Sequence, residues 1–265
     1  DTNFDGKPKL LPDGSVDYWS VHSIESVTAG QVIAVYHPAV SGEDGMSVKG
    51  RLVPAKHGRE QMPLKGKGFD RMDDEVTYTA SMDGKIEMQN DRIVVLPVHE
   101  VSGNAELAEG NIDFRGDIVI HGNVESGVNI RATGSITIDG VAEACMLEAG
   151  KDIILRGGML GGNKASVKTK GAITAKFFEF TNILCEGDLQ ADVLMDCSVI
   201  CHGQIRLTGR KGSIIGGKVQ AIRGLIATSL GNDAEKRTEI FVGAGIDVYS
   251  RLRVMEKKIE MTREE

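Results

Sequence analysis

From residue 114 onward, short runs of alternating apolar and polar residues recur behind a turn residue: GDIVI from Gly116, GSITI from Gly134, KDIIL from Lys151, GAITA from Gly171, GDLQA from Gly187, GQIRL from Gly203 and GLIAT from Gly224. Ile118 and Ile120, Ile136 and Ile138, and Ile205 and Leu207 repeat at a period of two, which turns one row of each strand inward and the other toward solvent. Turn positions 116, 134, 151, 171, 187, 203 and 224 give intervals of 18, 17, 20, 16, 16 and 21. A strand at each such interval predicts a β-solenoid, in which coils stack about 4.8 Å apart and equivalent positions form ladders. Two positions before each turn stand Phe114, Ala132, Ala149, Thr169, Cys185, Cys201 and Ile222, most of them small, as an interior ladder at a bend requires.

The mean interval equals three hexapeptides, the period of a left-handed β-helix. That fold needs an apolar residue at nearly every sixth position, whereas residues 118, 120, 124, 128, 130, 136 and 138 are irregularly spaced and coil length varies. The pattern therefore predicts an all-β chain built on a right-handed parallel β-helix over residues 103–248.

The flanks read differently. Residues 1–102 hold short alternating strands (SVDYWSV, EVTYTAS, GKIEMQ, RIVVLPV) broken by LPDG, VSGEDG and KHGRE, which predicts a small β domain of hairpins. Residues 249–265 place Leu252, Met255 and Ile259 at helical spacing among mixed charges, the expected start of a C-terminal helix or coiled coil. Beginning at Asp1 and stopping in that segment, the chain is expected to be a piece of a longer protein.

Composition sharpens this picture at two points. The 33 glycines against 7 Phe, 4 Tyr and 1 Trp mark many turns. A net charge of −7 argues against general nucleic-acid binding, which needs a positive surface to neutralise phosphates. No run reaches the roughly 18 apolar residues of a membrane helix, and no basic-then-apolar leader is present, so a cytoplasmic protein is expected. Cys145, Cys185, Cys197 and Cys201 lack C-x-x-C spacing, and Cys185 and Cys201 fall one coil apart, so buried reduced thiols are expected rather than a metal site.

One stretch imitates a nucleotide site. GSIIGGKV, from Gly212, is one hydroxyl short of the phosphate loop G-x-x-x-x-G-K-[ST], because Val219 stands where Ser or Thr would hold magnesium. GGMLGGNKASVKTKGAITA, from Gly157, carries the paired glycines earlier, at Gly161 and Gly162 against Gly216 and Gly217, without the lysine spacing, so both are read as solenoid corners. His22, His37, His57, His99, His121 and His202 are scattered without metal-ligand spacing, and His121 and His202 are expected to face solvent. Neither a catalytic constellation nor a cofactor or metal motif is found. The basic residues Arg206, Arg210, Lys211, Lys218 and Arg223 fall on two adjacent late stretches and are candidates for contact with an acidic partner.

HPAVSGEDGMSVKGRLVPAKHGRE, EGNIDFRGDIVIHGNVESGV, KGSIIGGKVQA and the closing charged helix resemble the bacterial flagellar assembly protein A family over residues 8 to 260. The resemblance implies a right-handed β-helix core, an N-terminal β domain, a C-terminal coiled coil, and a cytoplasmic non-enzyme linked to polar flagellar assembly and its regulation. A flagellar or regulatory protein partner, homo-oligomerisation through the C-terminal helix and recruitment to a cell pole are expected with it, and the residues themselves lead to the expectation of no cofactor, no nucleic-acid partner and no membrane insertion. The family's recurrent motif maps to His37, Pro38, Gly42, Glu43, Asp44 and Gly45, read as a turn whose His37 and Asp44 are contact candidates. The leading expectation is a scaffold or adaptor. A self-assembling cytoskeletal element is the alternative, and a polysaccharide enzyme is disfavoured because residues 111–245 contain no Trp or Tyr platform.

Overall fold

The computed structural model of the protein describes residues 9–10, 16–17, 26–90, 92–209 and 212–243. The expected C-terminal helix from residue 249, Arg210 and Lys211 lie outside the described residues. Among those described the fold is all-β, with a single 3-10 turn at Leu107–Glu109 and no α-helix.

Glu25–Pro97 is a compact unit of its own. It holds a four-stranded sheet (Ser26–Val27, Gly66–Lys67, Gly84–Gln89 and Arg92–Leu96), a three-stranded sheet (Val32–Val35, Phe69–Arg71 and Thr77–Ala80) and a hairpin of Gly45–Met46 with Leu52–Val53. The strands expected from EVTYTAS, GKIEMQ and RIVVLPV form, the last ending at Leu96, just before Pro97. Its core is small: Val27, Ala80 and Val95 are buried with Ile33 and Ile86 against them, and Tyr78 meets Phe69 edge-on. Separately, Lys9–Leu10 pairs antiparallel with Val16–Asp17.

The solenoid begins at Val98–Val101, the first strand of a sheet of eight parallel strands. One inward column of this sheet runs Ile118, Ile136, Ile153, Ile173, Leu189, Ile205, Leu225 in strict register. A second sheet carries the column Ile112, Ile130, Leu147, Val167, Ile183, Val199, Val219, Ile240. A third inward column, Ala105, Val124, Ala142, Met159, Phe178, Leu194, Ile214, closes the coil. Stacking like on like buries β-branched side chains along one continuous core, as alternation with period two requires. Steps along the first column are unequal, that from Ile153 to Ile173 being longer than that from Ile173 to Leu189, and without a hexapeptide period the coils are of the right-handed type.

The small-residue ladder is Phe114, Ala132, Ala149, Thr169, Cys185, Cys201, Ala221. Its last member corrects the expectation of Ile222. Gly224 pairs with Gln204 rather than Gly203, so Arg223 holds the turn, and the last step, Ile205 to Leu225, is as long as that from Ile153 to Ile173. Ala221 fits the bend where the larger Ile222 would not. Thr169 keeps the ladder small and satisfies its hydroxyl by donating to the Lys151 carbonyl and accepting from the Gly171 N–H at 3.1 Å.

The recurring turn glycines have a stereochemical cause. Asp117 Oδ1 accepts the Ser135 N–H at 2.7 Å, Asp152 Oδ1 that of Ala172 at 2.8 Å, and Asp188 Oδ1 that of Gln204 at 2.8 Å. Each carboxylate thus reaches into the next coil at Gly134, Gly171 or Gly203, where a Cβ would fall on the accepting oxygen and the backbone below.

Candidate interaction surfaces

Because alternate residues point outward and coils stay in register, each face presents straight columns. On the second sheet one column reads Arg131, Glu148, Lys168, Leu184, Ile200, Gln220. Glu148 lies 3.0 Å from the Arg131 guanidinium and 3.4 Å from the Lys168 ammonium. Burial pushes its carboxyl upward, but the two cations together hold it below the usual carboxylate range. Beside it run Asn129, Met146, Ser166, Asn182, Ser198 and Lys218, with a shallow depression between the two columns at Asn129–Lys168.

The basic candidates divide between faces. Arg206 is exposed on the first sheet, in the outward column Thr174, Gln190, Arg206, Ile226, and donates to Gln204 Oε1 at 2.7 Å. Lys218 is exposed on the second sheet, its ammonium 5.4 Å from the Phe241 ring centroid. Arg223 is exposed in the turn between Ala221 and Gly224. Closeness in sequence therefore did not bring Arg206 and Lys218 onto one face, because the coil bends between them.

GSIIGGKV forms the strand Ser213–Ala221, with Val219 in the core column. Gly216 and Gly217 adopt φ of 71° and 79°, the left-handed region. The register places Phe180, Asp196 and Gly216 at one corner, and the first two share its left-handed backbone, with φ of 46° and 51°. Gly161 lies level with Phe180, so the echo between the two glycine pairs spans three coils. Lys236, from the segment after the next strand, reaches over Gly216 to pair with Asp196 and sits 5.6 Å from the Phe180 ring centroid. Thr238 Oγ1 accepts the Gly216 N–H at 2.9 Å. The glycines make a clamped corner.

His121 is exposed and lies 3.0 Å from Asp139 Oδ2, while Arg156 approaches Oδ1 of the same carboxylate at 3.1 Å, a ladder along three coils. His202 is exposed. No group of three His, Cys, Asp or Glu among the described residues is placed to hold a metal, and no described helix is long and apolar enough to cross a membrane.

In the first unit His37 is exposed at the root of an excursion from Pro38 to Leu64, and Asp44 is exposed within it, at the base of the Gly45–Met46 hairpin. Asp44 Oδ1 accepts the Ala55 N–H at 2.7 Å, bracing the hairpin. Tyr36 donates to Glu60 Oε2 at 2.5 Å and lies 3.0 Å from the Gln61 carbonyl, and Ala39 N–H donates to the same carboxylate at 3.3 Å. Sequence reasoning named the two polar motif residues and passed over the apolar ones they support. Met46, Val48 and Leu52 in a Gly-rich stretch were the available signal.

A family model described as the Flagellar Assembly Protein A beta solenoid domain matches residues 97–265, and one described as the Flagellar Assembly Protein A N-terminal region matches residues 3–91. No curated protein and no solved structure matches the chain.

Proposed function

The chain belongs to the flagellar assembly protein A family, and from that premise we propose that it is a non-enzymatic cytoplasmic scaffold or adaptor, recruited to a cell pole, that holds flagellar or regulatory proteins together. The carrying observation is the straight, in-register outward column from Arg131 to Gln220, a surface that continues across six coils. Its charged end and its apolar Leu184 and Ile200 offer a partner both orientation and burial. Lys218, in the column beside it, is a proposed contact on the same face, Arg206 and Arg223 are proposed contacts off it, and His37 and Asp44 are those of the first unit.

Native affinity capture from the source cell with this chain as bait tests the reading. Recovery of a flagellar or signalling protein, lost when Arg206→Glu and Lys218→Glu are introduced together, supports it. A bait that recovers no specific protein sinks it.

A further inference from the structure

The excursion from Pro38 to Leu64 is ordered without burying its own side chains. Val40, Met46, Val48, Leu52 and Met62 are each at least 66% exposed, although hydrogen bonds fix the backbone at the tip and the root. A two-stranded hairpin is marginal in water alone, and clustered exposed apolar side chains mark a contact surface. Around them stand Lys49, Arg51, Lys56 and Arg59 against Glu43, Asp44 and Glu60, which leaves the arm one charge positive, and Asp44 and Glu60 are turned back to brace it. No aromatic residue lies between Pro38 and Leu64, unlike a lipid-facing element, where Trp and Tyr gather.

The complementary surface is on the solenoid. Ala105, Val124 and Ala142 pair in register and point inward, so Glu106, Glu125 and Glu143 form an exposed column outside. Leu160, Glu179, Met195 and Ile215 continue it, and Leu107 and Leu160 are exposed beside the carboxylates. Among the described residues no cation pairs with Glu106, Glu125 or Glu143. Residues 98–148 carry nine carboxylates against two Arg and no Lys. Stacked like charges repel, and a cationic partner relieves that repulsion.

We infer that the basic, apolar arm around Met46–Leu52 docks on the Glu106–Glu125–Glu143 column of a second copy of this chain, forming a reciprocal dimer. A two-fold pairing makes each contact twice. The inference does not depend on the scaffold reading, and separate measurements decide the two.

Sedimentation velocity of the whole chain over a hundredfold range of micromolar concentration tests it. A reversible dimer is expected, its Kd weakening at least about tenfold between about 0.1 M and about 0.5 M salt. Lys49→Glu with Arg51→Glu, and separately Glu125→Lys with Glu143→Lys, are each expected to be monomeric, and mixing the two variants is expected to restore association. If either reversal fails to fold by circular dichroism, the corresponding Gln substitutions are expected to weaken the dimer in its place. A monomer at every concentration overturns the inference, as does a dimer indifferent to both reversals or a mixture that stays monomeric. A monomer that still captures a flagellar protein leaves the scaffold reading standing, and a salt-sensitive dimer that captures none does the reverse.

Discussion

A side chain at position 216 would meet the Asp196 carboxylate and the Lys236 stem from a left-handed backbone. Gly216→Val is therefore expected to cost about 1–3 kcal/mol, read as a lower urea midpoint, with amide protection lost first in Thr238–Val242, the strand the clamp secures. The cysteines give a second test. Burial pushes Cys145 up to about 12 and Cys197 up to about 11, and Cys185 is pushed up by its bond with Cys201 and by burial. With thiolate suppressed at these three and all four side chains buried, the cysteines are expected to resist a thiol reagent at mildly alkaline pH in the native protein and to react on unfolding. At the arm's root, the hydrogen bond with Glu60 raises Tyr36, and the same bond lowers Glu60. The lowered Glu60 contributes above the ordinary carboxylate value of about 4.3 and is lost as pH falls through its depressed value. The raised Tyr36 contributes below about 10 and is lost as pH climbs through its elevated value. Glu60 is exposed and Tyr36 only half-buried, so the effect is local: the Ala39 amide shift should hold steady between those limits and move beyond each in a pH titration by NMR.

At the scale of the strand and corner, the bridge from each Asp to the next coil is the unit of cohesion that sequence alone reveals least. The turn glycines were plain, but the partner of each glycine, an Asp one coil earlier, emerges only when coils of unequal length are laid in register. Asp188→Ala removes the acceptor of the Gln204 N–H and is expected to cost about 1–3 kcal/mol, with Asp188→Asn recovering most of it because an amide oxygen can accept the same bond. Asn123 already does so for the Val141 N–H at 2.8 Å. Equilibrium unfolding of the two variants beside the parent measures the difference. The final coil shows the limit of pattern matching: GLIAT imitates GQIRL one position out of phase, and only pairing across strands selects Ala221 over Ile222.

For the whole molecule, the two units differ in how they are held. The unit Glu25–Pro97 buries Val27, Ala80 and Val95 with few supporting side chains, whereas the solenoid stacks three apolar columns through successive coils. Calorimetry is expected to show two transitions, the lower from the first unit. Ile153→Ala, at the centre of the first-sheet column, is expected to cost the upper transition about 2–5 kcal/mol and leave the lower one in place. Sequence by itself determined that the chain is a solenoid, that its coils are unequal in length, and that Cys185 stacks on Cys201, because a period of two within strands and a recurring turn are local properties of the chain. It also carried the family resemblance. Only the tertiary structure decided that Arg206 and Lys218 lie on different faces, that Lys236 closes over Gly216, and that Glu106, Glu125 and Glu143 share one column. Those relations join side chains far apart in sequence, and their geometry is set by how each coil bends at its corners before it stacks on the next.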